Sequence, residues 1–224
     1  MRSRRSSILL LTAGWVLLCP LVSADEIRFE PAVFVRPDII EDPEPERFSV
    51  CHSHGCAEVV TTGLGSRQWQ EIARLLTPPA KDAKSERIRI ARAIARFEQF
   101  VGVLTNTAHD APENGWVTQG YSMDCIDEST NTTTYLRLLA GADLLLWHRV
   151  EAPASRGWFI YGWPHSSAVI RDLSTDQLWA VDSWFFENGK LPVIVPLAEW
   201  RRGWRPQDGK ISFDSQRQTT CRRA

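Results

Sequence analysis

Three residues of this 224-residue chain are of types, and in an order, suited to nucleophilic chemistry: Cys125, His165 and Asp182. Cys125 falls at the first turn of a predicted helix, behind a glycine-containing loop. Unsatisfied backbone N–H groups and the helix dipole at such a position favour a thiolate. The same N–H groups can face an oxyanion developing on a substrate carbonyl. His165 opens a predicted strand after Trp163-Pro164, and Asp182 closes the next one. A tight turn at Ser174-Thr175-Asp176 predicts a hairpin in which residues whose numbers sum to about 349 face each other, so His165 and Asp182 become near neighbours across the ladder. An acid there holds the imidazole tautomer while the ring takes the thiol proton. Blander readings stand beside this one. Cys125 also fits a half-cystine with Cys221 or a small buried hydrophobe, His165 a strand histidine bonded to a carbonyl, and Asp182 a turn former. Asp124, Asp127 and Glu128 crowd Cys125 and work against a thiolate.

The elements that must position these groups follow from periodicity. Short strands are expected at Ala32–Val35, Phe48–Cys51 and Ala57–Thr62, the last two joined by His52-Ser53-His54-Gly55. Helices are expected over Ser66–Leu76 and Asp82–Leu104; in the second, Ile90, Ile94, Phe97, Val101 and Leu104 recur at 3.6-residue spacing. Asn106–Tyr121 reads as loop. A third helix runs from about Asp124 to Leu139 and is ended by Gly141. Asn131-Thr132-Thr133 matches a glycosylation pattern inside that helix, a poor place for a glycan. Strand-like runs follow at Leu144–Val150, Gly157–Gly162, Ser166–Leu173, Gln177–Val181 and Val193–Val195, then a short helix at Leu197–Trp204. Helices followed by an antiparallel meander make an α+β plan, with the Cys125 helix packed on the sheet that carries His165 and Asp182.

The first 24 residues read as a cleavable signal peptide: Arg2, Arg4 and Arg5, an apolar run Ile8–Leu18, and Val22-Ser23-Ala24 before Asp25. The apolar run is short for a membrane span, and Leu18 disfavours lipid attachment at Cys19. Residues 25–47 form a Pro-rich, acidic, extended arm, and residues 48–224 a single domain. Loss of the three leader Arg takes the formal net charge from −1 to about −4. No basic stripe suggests a nucleic-acid partner, and no later segment is long and apolar enough to span a membrane. A secreted or periplasmic location is expected, where disulfides are permitted. Cys51 and Cys56, five residues apart, are expected to pair. The segment Cys51-His52-Ser53-His54-Gly55-Cys56 also carries zinc-type ligands, although six contiguous residues are cramped for a metal site. Of the ten Trp, Trp158, Trp163, Trp179, Trp184, Trp200 and Trp204 are core material first, with Trp163 and Trp184 also placed to wall a groove. His109 and His148 are assigned no role.

Met123-Asp124-Cys125-Ile126-Asp127 opening a helix, His165–Ile170 as a strand, and Trp179–Trp184 around Asp182 resemble the transglutaminase-like cysteine hydrolase superfamily. The likeness is greatest to bacterial transglutaminase-like cysteine peptidases, and it covers roughly residues 85–185. It implies a papain-like/transglutaminase-like core and a thiol hydrolase or acyltransferase. Cys125 forms a thioester with an amide or peptide carbonyl, His165 is base and then acid, and Asp182 orients the ring. In papain-like enzymes a Gln six residues before the Cys donates to the oxyanion, which places Gln119 in that role. Peptide or protein substrates are implied. No cofactor is expected, and no calcium loop is present. The alternative from another class is a non-catalytic envelope module that keeps the fold and uses its Trp-rich face for a protein partner. A thiol-metal or redox protein centred on Cys51–Cys56 is a third reading.

Overall fold

The computed structural model describes residues 36–113, 122–157 and 164–206, all within the unit Pro31–Ala224. The signal peptide with Cys19, the expected strand Ala32–Val35, Gln119, Trp158, Trp163 and Cys221 lie outside the described residues, as does nearly all of the expected strand Gly157–Gly162.

The architecture is α+β. A small antiparallel hairpin, β1 (Phe48–His52) and β2 (Glu58–Thr62), precedes helices α1 (Ser66–Leu76), α2 (Ala83–Thr105) and α3 (Cys125–Gly141). Strands β3 (His148–Arg156), β4 (His165–Asp172), β5 (Leu178–Asp182) and β6 (Val193–Pro196) then form a four-stranded antiparallel sheet in the order β3-β4-β5-β6, and α4 (Leu197–Arg201) closes the described chain. Two of the three long helices begin at an acid. Asp82 accepts from Ser85 N at 2.7 Å to cap α2, and Asp124 accepts from Ile126 N and Asp127 N to cap α3. Each satisfies backbone donors that the helix leaves orphaned. The left-handed Asn106 (φ 62°) ends α2.

The main core joins α2, α3 and β1 to one face of the sheet. Ile90, Ile94 and Phe97 meet Tyr135, Leu136 and Leu139, and these meet Ala168, Ile170 and Val181. Phe97 and Tyr135 stack with ring centroids 4.8 Å apart. The opposite sheet face, Val169 and Ala180, packs on Leu197 and Trp200 of α4. Side chains alternate across a strand, so His165 and Asp182 belong by parity to this α4 face.

The β4–β5 register places Ala168 opposite Val181 and Val169 opposite Ala180, the pairing sum expected from the turn. Two expectations need correction. Strand β3 begins at His148 rather than Leu144. The amides of Leu146 and Trp147 are bound by the Glu86 carboxylate at 2.9 Å each, which takes them out of any ladder. Strand β3 then continues through Ala152-Pro153 to Arg156, where a bulge between Glu151 and Ala154 admits the proline. The arm, expected to be extended, is turned where it is described. Leu64 N donates to Pro45 O, Ile40 N to Ser49 Oγ, and Arg36 Nη1 to Cys56 O. Gly63 makes that docking possible, since a Cβ there would overlap the Glu46 carbonyl. Among the described residues no helix is long and apolar enough to cross a membrane.

Candidate active site

His165 lies at the start of β4 with its ring buried, 5% exposed, between aromatic side chains. Trp184, Phe185 and Trp200 lie 4.6, 5.3 and 5.4 Å from it, centroid to centroid. Its Nε2 is 2.7 Å from Asp182 Oδ2. The same oxygen accepts from Trp200 Nε1 at 2.7 Å, and Asp182 Oδ1 accepts from Trp184 N at 3.3 Å. An indole N–H can only donate, so Oδ2 is an acceptor, and the imidazole proton shared with it sits on Nε2. That leaves Nδ1 as the basic nitrogen. It is buried and has no hydrogen-bond partner among the described residues.

Cys125 is the first residue of α3, half-buried and in no disulfide with another described residue. Its Sγ lies 3.9 Å from the Pro164 carbonyl, so the thiol rests against the backbone just before His165. Burial pushes its pKa up to about 12, with the charges of Asp124 and Asp182 adding to the shift and the Ser166 N–H opposing it. Desolvation and nearby acids thus oppose the thiolate that a helix start favours.

Asp124 and Asp127 do not face the sulfur. They turn to the β1–β2 hairpin, where the Cys51–Cys56 disulfide closes the connecting turn. That bond uses both thiolates that a zinc or redox site would require. Asp127 accepts from His54 N at 2.9 Å and Cys56 N at 2.7 Å, and Asp124 accepts from Gly55 N at 2.9 Å. Asn131, the discounted glycosylation position, is buried and bonds both Cys51 N (2.7 Å) and Cys51 O (2.8 Å).

A further group of buried acids lies beneath α3. Glu98 accepts from Gly189 N at 2.8 Å, and Asp110 accepts from Met123 N at 2.8 Å just ahead of Cys125. Burial raises Glu98 to about 7 against the pull of Ser183 and Gly189, and Glu128 is held well above its usual range by burial and by the charges of Glu98 and Asp110. His148 belongs to a separate buried chain: Glu86 binds its Nδ1 (2.9 Å), and Arg87 bridges its Nε2 (3.1 Å) to Asp172 (2.9 Å).

Of the residues singled out in the sequence, the structure thus places His165 on Asp182 and Cys125 alongside His165. Gln119 falls outside the described residues. Sequence reasoning missed Trp200 as a donor to Asp182. Eighteen residues and a change of element separate the two, and a tryptophan in an apolar helix signals packing first. Comparison of the chain with protein-family models, with curated proteins and with solved structures finds no match.

Proposed function

We propose that the chain is an exported cysteine hydrolase or acyltransferase of the transglutaminase-like type, acting on amide or peptide bonds. The observation that carries this reading is His165. One ring nitrogen is fixed by Asp182, while the other is buried, without a partner among the described residues, and next to the backbone on which the Cys125 thiol rests. A buried imidazole nitrogen without a partner is uncommon, and it is what a general base requires.

In this mechanism Nδ1 of His165 takes the thiol proton as Cys125 Sγ attacks the carbonyl carbon. The Nε2–H bond to Asp182 stabilises the imidazolium that forms. The Cys125 backbone N–H and Gln119 receive the oxyanion. His165 returns the proton to the departing amine, leaving a thioester on Cys125. Water, or an amine in the acyltransfer variant, then resolves the thioester with His165 again as base. The resting thiol, with a pKa pushed up to about 12, assigns most of the activation to His165 rather than to a preformed ion pair.

The same raised thiol is the observation behind the second reading, a non-catalytic envelope module in which Cys125 is a structural thiol. Peptide-resolved alkylation separates the two. Iodoacetamide should label Cys125 between pH 6 and 8 at a rate that drops roughly tenfold or more in His165→Ala, the scale of one unit of thiol pKa. Equal rates in both proteins favour the structural thiol.

A further inference from the structure

The turn between β1 and β2 is built from four successive residues in the left-handed region: Ser53 (φ 70°), His54 (φ 63°), Gly55 (φ 64°) and Cys56 (φ 57°). Only one is glycine, and each of the others meets a steric penalty there. Such a run does not form unless something outside it holds it. Ser122 bonds Ser53 N (3.0 Å) and His54 Nε2 (2.8 Å), Arg36 bonds Cys56 O (3.2 Å), and two further things hold the turn. The Cys51–Cys56 disulfide ties the end of the turn to strand β1. The amides of residues 54–56, which in this conformation converge on one concavity suited to an anion, are filled by carboxylates of the same chain: His54 N and Cys56 N bind Asp127, and Gly55 N binds Asp124. Those two acids flank Cys125 at the start of α3, and Asn131 continues the same helical stripe with its paired bonds to Cys51. The face of α3 adjoining Cys125 is thus fastened to the hairpin by five hydrogen bonds of 2.7–2.9 Å, three to the turn and two to Cys51 of β1.

We infer that the disulfide-closed turn Ser53–Cys56, acting through Asp127, positions the Cys125 nucleophile, so that closing the Cys51–Cys56 bond brings the thiol into its reactive placement. This rests on the catalytic reading given above. With the bond open, Ser53, His54 and Cys56 relax toward ordinary φ values and their amides leave the carboxylates. Asp127, fully buried, then keeps only the Asp124 N–H at 3.0 Å as a donor, and the first turn of α3 shifts away. Closure releases two protons and passes two electrons from the Cys51 and Cys56 thiols to a disulfide oxidant, which is reduced to two thiols. A chain made in a reducing compartment is therefore latent, and it becomes competent after export to an oxidising one.

The test measures alkylation of Cys125 by iodoacetamide from pH 6 to pH 9, resolved by peptide mass spectrometry so that Cys51 and Cys56 are read separately. Four samples are compared with the oxidised protein: protein reduced by dithiothreitol and desalted, the double variant Cys51→Ser/Cys56→Ser, Asp127→Asn, and His165→Ala. Asp127→Asn keeps the disulfide and the side-chain shape but turns one acceptor into a donor facing an N–H. Thermal unfolding is followed in each, because a merely structural role would lower the melting temperature without changing the pH profile of a protein that is still folded. The expected result is that the first three samples lose the His165-dependent component, roughly tenfold at pH 7, while still melting cooperatively, and that reoxidation restores the rate in the reduced sample. Wild-type rates and pH profiles in the reduced protein and in Asp127→Asn, with His165→Ala slowed, overturn the inference and leave the catalytic reading standing. An unslowed His165→Ala removes the catalytic reading and the inference with it.

Discussion

At the scale of single residues the account turns on how Asp182 is occupied. Its Oδ2 takes both the His165 Nε2–H and the Trp200 Nε1–H, and its Oδ1 takes the Trp184 amide. Replacing the carboxylate by an amide puts an NH2 donor or a weaker acceptor against those N–H groups and releases the tautomer. Asp182→Asn should lower the rate of acyl transfer by about 10³–10⁴-fold, the scale found when a triad acid is replaced in this way, with little change in fold. Trp200→Phe removes only the indole N–H and part of the ring. It should destabilise the protein by about 1–3 kcal/mol and slow the reaction less than Asp182→Asn does, as measured by denaturant melts and by Cys125 alkylation.

At the scale of elements, α3 and the β1–β2 hairpin behave as one unit. Asn131 holds both the N–H and the C=O of Cys51 in a buried setting, so Asn131→Ala leaves two buried backbone groups unpaired. A loss of about 2–4 kcal/mol in a urea melt is expected. Legibility in the sequence follows the same division. Helix α2 could be read because its apolar residues repeat along one face, and the β4–β5 register because a tight turn fixes every pair beyond it. Strand β3 was misplaced at its start, because the Glu86 carboxylate takes over the Leu146 and Trp147 amides, and misjudged in extent, because Pro153 in a bulge looks like an end. The left-handed turn left no trace beyond Gly55; Ser53, His54 and Cys56 are driven there by the disulfide and by carboxylates some 70 residues away in sequence. For the same reason Cys125, His165 and Asp182 could be proposed from order and context, whereas the clasp that presents Cys125 could not.

At the scale of the whole molecule, the buried acids set how stability depends on pH. Unfolded, Glu98 loses its proton near 4.5; folded, it keeps it to about 7. Between those values the folded state binds more protons than the unfolded one, so stability falls as pH rises through this window. Asp127, raised to about 7 from 3.8 by burial and by Asp124, acts in the same direction. Asp172, held down to about 2 by Ser174 and Arg87 against the effect of burial, acts oppositely: its contribution is complete above 3.8 and is lost as pH falls toward 2. Taken together, these three groups contribute most to stability between about pH 4 and 5. Glu98→Gln should therefore stabilise the protein by about 1–3 kcal/mol at pH 8 and have little effect at pH 4.5, read from denaturant melts at the two values.

The central claim, that Cys125 becomes acylated with His165 as base, is tested most directly by stopped-flow hydrolysis of p-nitrophenyl acetate with intact-mass and peptide readout. The account predicts a burst of p-nitrophenolate close to one equivalent per chain, an acetyl group on Cys125 that disappears with time, and loss of the burst in His165→Ala and in Cys125→Ala. A burst of equal rate in His165→Ala, or acetylation confined to other residues, would contradict it.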